Sequence, residues 1–91
     1  MKPSQYIQRG WCRGATALDF TGNPCLPLSS SARQWCLIGA IGAAYPEDFQ
    51  VRIKVADAIE LMLNTHQFAQ WNDDPKRTQA EVVELLQSIG E

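Results

Sequence analysis

The sequence predicts an all-α fold, a compact bundle of about four helices with an extended, proline-containing loop at residues 19–28 packed across it. Three observations predict this fold. Apolar residues recur at helical spacing in four segments, capping residues precede several of these segments, and the intervening loop is rich in glycine and proline. With 91 residues, the chain has enough length for one domain with a limited core. We therefore expect residues 1–91 to form a single helical domain.

The first helix is expected over residues 4–18, with Ser4 as its N-cap. One side of it carries apolar and small residues at helical spacing: Ile7, Trp11, Gly14, Ala15 and Leu18. A glycine on the apolar side lets another backbone come close, so Gly14 predicts the close approach of a neighbouring helix.

The loop at residues 19–28 is marked by Gly22-Asn23-Pro24, a sequence typical of turns. This segment is apolar for a loop. We therefore expect Leu26 and Leu28 to be tucked against the core.

The second helix is expected to start after the capping run Ser29-Ser30-Ser31 and to end before Tyr45-Pro46. From Trp35 to Ala44 the expected helix is apolar on every side, which is typical of a buried helix. This helix should therefore be central. Gly39 and Gly42 would let neighbours approach it closely, and a leucine at position 39 should overpack the core.

Two further helices follow. The third is expected over residues 47–64, with Asn64 as a left-handed cap. Its apolar stripe is Val51, Val55, Ala58, Ile59 and Met62. After a connector at 65–76, Thr78 and Glu81 form a capping box at the start of the fourth helix, which ends at Gly90. Its buried stripe is Val82, Val83, Leu86 and Ile89.

Charge is distributed unevenly along the chain. Residues 1–33 carry four basic and one acidic side chain, whereas residues 34–91 carry four basic and nine acidic ones. These charges either form solvated faces or give an acidic surface that recognises a basic partner. The sequence contains no basic cluster that could neutralise phosphates, and this disfavours nucleic-acid binding. No apolar run is long enough to span a membrane, and the N-terminus does not resemble a secretion signal, so a cytoplasmic location is expected.

The three cysteines do not predict a disulfide framework, because their number is odd. Cys12 and Cys36 are expected to be buried thiols that act as small hydrophobes, whereas Cys25 lies in a proline-flanked loop. Zinc binding by the three cysteines with His66 is disfavoured, because no two ligands have the close spacing that organises such sites. The sequence predicts no metal site, no cofactor and no catalytic residue.

The residues that best suit a partner-binding site are Trp71, Asn72, Asp73, Asp74 and Arg77. Trp71 lies beside polar residues, and tryptophan is enriched at the energetic centres of interfaces. A structural interpretation competes with this one, since Asn and Asp side chains bond to the backbone in turns and an Asp can pair with Arg77.

Three phrases carry a family resemblance. The orders G-W-C-x-G-A-x-A-x-D-x-x-G-x-P, A-x-x-W-C-L-x-G-A-I and W-N-D-x-P-x-R-T-x-A-E-V cover the chain from Gly10 to about Leu86. Together they resemble a family of small bacterial and phage proteins of unassigned function. The resemblance implies an origin on a mobile element and supplies no activity, substrate or catalytic residue.

These observations predict a non-enzymatic protein-binding module, of the kind that a phage uses to counter host defence by occupying a host protein. Two alternatives remain open: a small-molecule or metal binder, and a thiol-based enzyme using Cys25 or Cys12 with His66. A homodimer is also compatible with so small a domain, because apolar surface is left over.

Overall fold

Five helices and one small antiparallel sheet make up the chain, so the fold is an α+β mixture and the all-α prediction is wrong. The computed structural model describes residues 1–91. The elements in chain order are α1 Pro3–Arg9, β1 Ala17–Asp19, β2 Ala32–Trp35, α2 Leu37–Ala44, α3 Phe49–Leu63, α4 Phe68–Asp73 and α5 Gln79–Ser88.

The first helix is half as long as expected. Helix α1 ends at Gly10, whose N–H donates to the Tyr6 carbonyl, and the chain continues in an extended conformation. The backbone of residues 10–12 bonds to Trp35 instead of continuing the helix: Trp35 N–H donates to Gly10 O at 3.0 Å and Cys12 N–H donates to Trp35 O at 3.2 Å. A Cβ on Gly10 would lie 2.2 Å from the Arg33 carbonyl oxygen, so only glycine permits this approach.

The sheet pairs β1 with β2, with Ala17 opposite Trp35 and Asp19 opposite Ala32. Single bridges extend it on both sides, since Trp11 pairs with Trp35 in parallel and Pro24 pairs with Leu18 antiparallel. The two Trp-Cys phrases of the sequence, at residues 11–12 and 35–36, therefore lie side by side.

The loop at residues 19–28 is held by hydrogen bonds rather than by its leucines. The Asp19 carboxylate accepts from the backbone N–H groups of Thr21 and Asn23 and from the Thr21 hydroxyl. Leu26 and Leu28 are exposed, so the expectation that they are tucked into the core is wrong.

Helix α2 begins later than expected, because residues 32–35 form a strand. Its N-cap is Cys36, whose Sγ accepts from Gly39 N–H at 3.3 Å. A Cβ on Gly39 would lie 1.8 Å from Thr16 O, which confirms the close contact expected there. At Gly42 and Gly14 no atom would meet such a Cβ, so the expected close approach is wrong at both positions; Gly14 is required for its φ of +78° instead.

The last two predicted helices agree well with the structure. Helix α3 lies within the predicted range, and Asn64 caps it with a φ of 56°. Helix α5 starts with the predicted capping box of Thr78 and Glu81. The short helix α4 lies inside the segment predicted as a connector.

One hydrophobic core joins the helices to the sheet. Trp35 lies at its edge, with its ring 5.1 Å from that of Tyr6 in an edge-to-face arrangement. The thirteen buried core residues are Ile7, Ala17, Ala32, Trp35, Leu37, Ala40, Ile41, Ala43, Val55, Ile59, Val82, Leu85 and Leu86. No helix has both the length and the apolar character needed to cross a membrane.

Candidate functional sites

The residues predicted to bind a partner gather on and after helix α4, and Asn72 lies at their centre. Asn72 has no exposed surface. Its Oδ1 accepts from Trp11 Nε1–H at 2.8 Å and from Leu37 N–H at 3.0 Å, and its Nδ2 donates to Cys12 O at 3.0 Å and to Asp73 Oδ1 at 2.9 Å. Asn72 therefore connects three segments and has no surface with which to touch a partner.

The Asn72 carboxamide takes the place of one backbone hydrogen bond between paired strands. The parallel pairing of residues 10–12 with Trp35 would next join Leu37 N–H to Cys12 O. In the structure, the carboxamide lies between these two groups and satisfies both. The ladder thus ends at Asn72, and the chain can turn into helix α2 without leaving a buried backbone group unpaired.

The two aspartates also organise the backbone. Asp73 Oδ1 accepts from Gly14 N–H at 3.1 Å, which holds the loop after Trp11 against helix α4. Asp74 Oδ1 accepts from Lys76 N–H at 2.9 Å in the turn that leads to helix α5. Asp74 is exposed, so it is open to a partner while it holds this turn.

Two arginine–tryptophan stacks lie beside Asn72, and we call them the Trp–Arg cluster: Trp11, Arg13, Trp71 and Arg77. The Arg77 guanidinium lies 3.9 Å from the centre of the Trp71 ring, and that of Arg13 lies 4.3 Å from the centre of the Trp11 ring. Arg13 donates to the Arg77 carbonyl, and Arg77 Nε donates to Trp71 O at 3.0 Å. Both tryptophan rings are half-buried, so Trp71 is not the fully exposed anchor that its loop-like sequence suggests.

The structure also has an exposed apolar surface that the sequence pattern did not predict. We call it the apolar face, and it is formed by Ile38 of α2, Phe49, Ile53 and Ala56 of α3, and Phe68 of α4. Phe49 is 62 % exposed, Ile38 42 % and Ile53 39 %. The spacing of Phe49, Ile53 and Ala56 places all three on one side of α3. This spacing already indicates an apolar side of α3 in the sequence. The longer apolar stripe that contains Val55 and Ile59 indicates a different side of the helix and is the more prominent pattern.

The floor of the apolar face is an open cavity of about 300 Å³ between helices α2, α3 and α4. Gly42 lies in this floor, where its missing side chain leaves room. Arg52 lines one side and is 5.7 Å from the centre of the Phe49 ring.

The C-terminal end of α3 is acidic. Asp57 and Glu60 line a cavity of about 440 Å³ together with Asn64 and the single histidine, His66. Leu61 and Met62 are also exposed at this end, so the apolar stripe of α3 is buried at Val55 and Ile59 but exposed at Met62. Carboxylates here add to the negative end of the helix dipole and favour a cation.

The thiols are not placed with His66. The cavity that His66 lines contains no cysteine, and Cys12 and Cys36 are buried as expected. Burial raises the pKa of Cys12 to about 12 and also raises the pKa of Cys36. A nucleophilic thiolate at neutral pH requires a lowered pKa, so this geometry does not support the thiol–histidine enzyme. No group of three or more His, Cys, Asp or Glu side chains is arranged to hold a metal ion.

A comparison with protein families gives a match over most of the chain. The model described as "Family of unknown function (DUF6197)" matches residues 4–90. No curated protein and no solved structure matches the chain.

Proposed function

We propose that this chain, which belongs to the Family of unknown function (DUF6197), is a non-enzymatic protein-binding module that docks its partner on the apolar face. The observation that carries the proposal is the concentration of exposed large apolar side chains on helices α2 and α3. Contiguous apolar surface of this kind marks interaction sites, because water leaves it on binding.

The shape of the face suits a helix as the partner element. Phe49 and Ile53 lie on the same side of α3 as Ala56, and Ala56 lines the floor cavity together with Ile38 and Phe68. An amphipathic helix laid in such a groove presents apolar anchors at positions three and four apart. The Phe49 ring is the main anchor on this side, because aromatic rings bury much area at a small cost in rotamer entropy.

The charge of the surroundings defines the partner further. Asp57 and Glu60 follow Ile53 and Ala56 by four residues each, so both carboxylates lie at the acidic end of the face. A basic residue at one end of the bound helix would complement them, and charge complementarity of this kind increases the rate of association. The proposed partner is therefore a basic, amphipathic segment of another protein.

We propose that the chain is a modulator from a phage or another mobile element. It would occupy a host protein and so counter the defence of the host. The small size of the chain and the exposed apolar side chains on α2 and α3 support this setting. A module of this kind acts by covering a functional surface, which requires docking and no chemistry.

The test is affinity capture from a bacterial host lysate, read by quantitative mass spectrometry. Wild type is compared with the double variant Phe49→Ser, Ile53→Ser, in which two exposed anchors are lost and no residue of the buried core is changed. We expect at least one protein to be enriched at near-stoichiometric amount by wild type and to be lost, by tenfold or more, with the double variant.

Matched control variants distinguish binding at the apolar face from binding at the Trp–Arg cluster. Gln50→Ser changes an exposed position on the same helix outside the face, and Arg13→Ala changes the Trp–Arg cluster; both should retain the captured protein. Capture that is equal for wild type and the double variant contradicts the proposal. Loss with Arg13→Ala alone would move the docking site to the Trp–Arg cluster.

The Trp–Arg cluster is the second candidate surface, and it contains the predicted binding residues Trp71 and Arg77. Its stacked side chains are already held by hydrogen bonds, so binding a partner would cost little additional side-chain entropy. Asp73 and Asp74 lie next to the cluster in sequence, and the buried Asn72 accepts a hydrogen bond from the Trp11 ring of the cluster.

A further inference from the structure

We propose that Cys12 and Cys36 form a redox pair that closes into an intrachain disulfide. The parallel bridge between Trp11 and Trp35 fixes the register of the two Trp-Cys phrases. The residues that follow these tryptophans are therefore neighbours and point to the same side of the paired chains. The backbone pairing still includes Cys12, whose N–H donates to the Trp35 carbonyl at 3.2 Å. Paired strands lie about 5 Å apart, and a disulfide accepts roughly 4.4–6.8 Å between Cα atoms.

The surroundings of the two thiols are not equivalent. Cys36 Sγ lies at the N-terminus of α2, accepts from Gly39 N–H, and lines an open cavity of about 210 Å³ with Gly14, Ala15 and Asp73. Cys12 is as buried as Cys36 but does not line this cavity, and its Sγ donates to Ala15 O at 3.5 Å. A small reagent therefore reaches Cys36 through the cavity. The N–H group of Gly39 offsets part of the effect of burial and of the nearby Asp73 carboxylate, which raise the pKa of the Cys36 thiol. Cys36 is the attacking thiol and Cys12 the resolving one.

The reaction with a low-molecular-weight disulfide proceeds in two exchanges. The Cys36 thiolate attacks one sulfur of the reagent, breaks its S–S bond and releases one reagent thiolate, which leaves a mixed disulfide on Cys36. The Cys12 thiolate then attacks Cys36 Sγ and displaces the second reagent thiolate. Two protein thiols are oxidised, one reagent disulfide is reduced to two thiols, and the two protons from the protein pass to them.

The test uses folded protein and excess 2-hydroxyethyl disulfide in long incubations at alkaline pH, because burial raises the pKa of both thiols and only the ionised fraction of each thiol exchanges. The free thiols are counted in denaturant, and peptides are mapped by mass spectrometry without reduction. We expect the count to fall from three to one, a peptide that links Cys12 to Cys36, and a higher melting temperature because the disulfide closes a loop of the chain.

Three variants define the roles. Cys25→Ala should oxidise as wild type does. Cys12→Ala should stop at a mixed disulfide on Cys36, and Cys36→Ser, which keeps an N-cap acceptor, should form neither product at Cys12. Circular dichroism checks that each variant is folded. Retention of three free thiols in wild type overturns the proposal, as does modification confined to Cys25. An adduct on Cys12 in folded Cys36→Ser overturns the assignment of Cys36 as the attacking thiol.

Discussion

A single buried carboxamide holds together parts of the chain that are far apart in sequence. Asn72 bonds to Trp11, Cys12 and Leu37, which lie 61, 60 and 35 residues away. All four of its hydrogen bonds are made inside the protein, where an unpaired polar group is costly. Its role is therefore to complete the backbone pairing that the ladder leaves open.

Replacing Asn72 with alanine should destabilise the protein by about 3 kcal/mol or more, because the Trp11 Nε1–H, Leu37 N–H and Cys12 carbonyl groups lose their buried partner. Chemical denaturation measures the change in the free energy of unfolding. Gln70→Ala, at an exposed position of the same helix, is the control and should change it by less than about 0.5 kcal/mol. Equal stability of the two variants would show that the network contributes little.

At the scale of elements, helix α2 packs by backbone contact at one end and is open at the other. Gly39 touches the Thr16 carbonyl, whereas Gly42, three residues later, faces the floor of the apolar face. Two glycines of one helix thus have different roles: Gly39 permits close packing, and Gly42 leaves a space.

The variants Gly39→Ala and Gly42→Ala should have opposite effects. The Cβ at position 39 would overlap a backbone oxygen, so we expect a loss of about 3 kcal/mol in the free energy of unfolding. The Cβ at position 42 meets nothing, so helix propensity should stabilise this variant by up to about 1 kcal/mol. Thermal melts monitored by circular dichroism check both. Gly39→Ala melting at the wild-type temperature would exclude the close contact.

Elements defined by local signals were predictable from the sequence, and those defined by distant pairing were not. The capping box at Thr78 and the cap at Asn64 depend on residues a few positions away, and both are confirmed. The segment after Gly10 has helical spacing, but its backbone bonds to Trp35 instead, a preference that no local pattern reveals. For the same reason, the sequence did not predict the burial of Asn72 or the apolar face.

At the scale of the whole molecule, the two ends of the chain meet beside helix α2. Ser4 N–H and the Ser4 hydroxyl both donate to the Glu91 carbonyl. The Tyr45 hydroxyl, at the end of α2, donates to the Glu91 carboxylate. This hydrogen bond raises the pKa of Tyr45 to about 12, with burial as a smaller cause.

Alkaline pH should therefore weaken the contact between α2 and the C-terminal residues. Because the folded pKa of Tyr45 lies above its ordinary value of 10.0, the contribution is complete below pH 10 and is lost as the pH rises through about 12. Solvent reaches the pair, so the loss should be about 1 kcal/mol or less. Denaturation curves across this range should fall more steeply for wild type than for Tyr45→Phe. Tyr6→Phe, which leaves Glu91 untouched, should keep the wild-type slope, and an identical slope in all three would contradict the prediction.

The Asn72 network also has a consequence for the order of folding. Its hydrogen bonds require α4, the N-terminus of α2 and the chain after α1 to be in place together, so loop closure over long distances must come first. We therefore expect this contact to form after the folding transition state, with a φ-value near zero. We therefore expect Asn72→Ala to accelerate unfolding while leaving the folding rate almost unchanged, so that this carboxamide sets the lifetime of the native state rather than the speed at which it is reached.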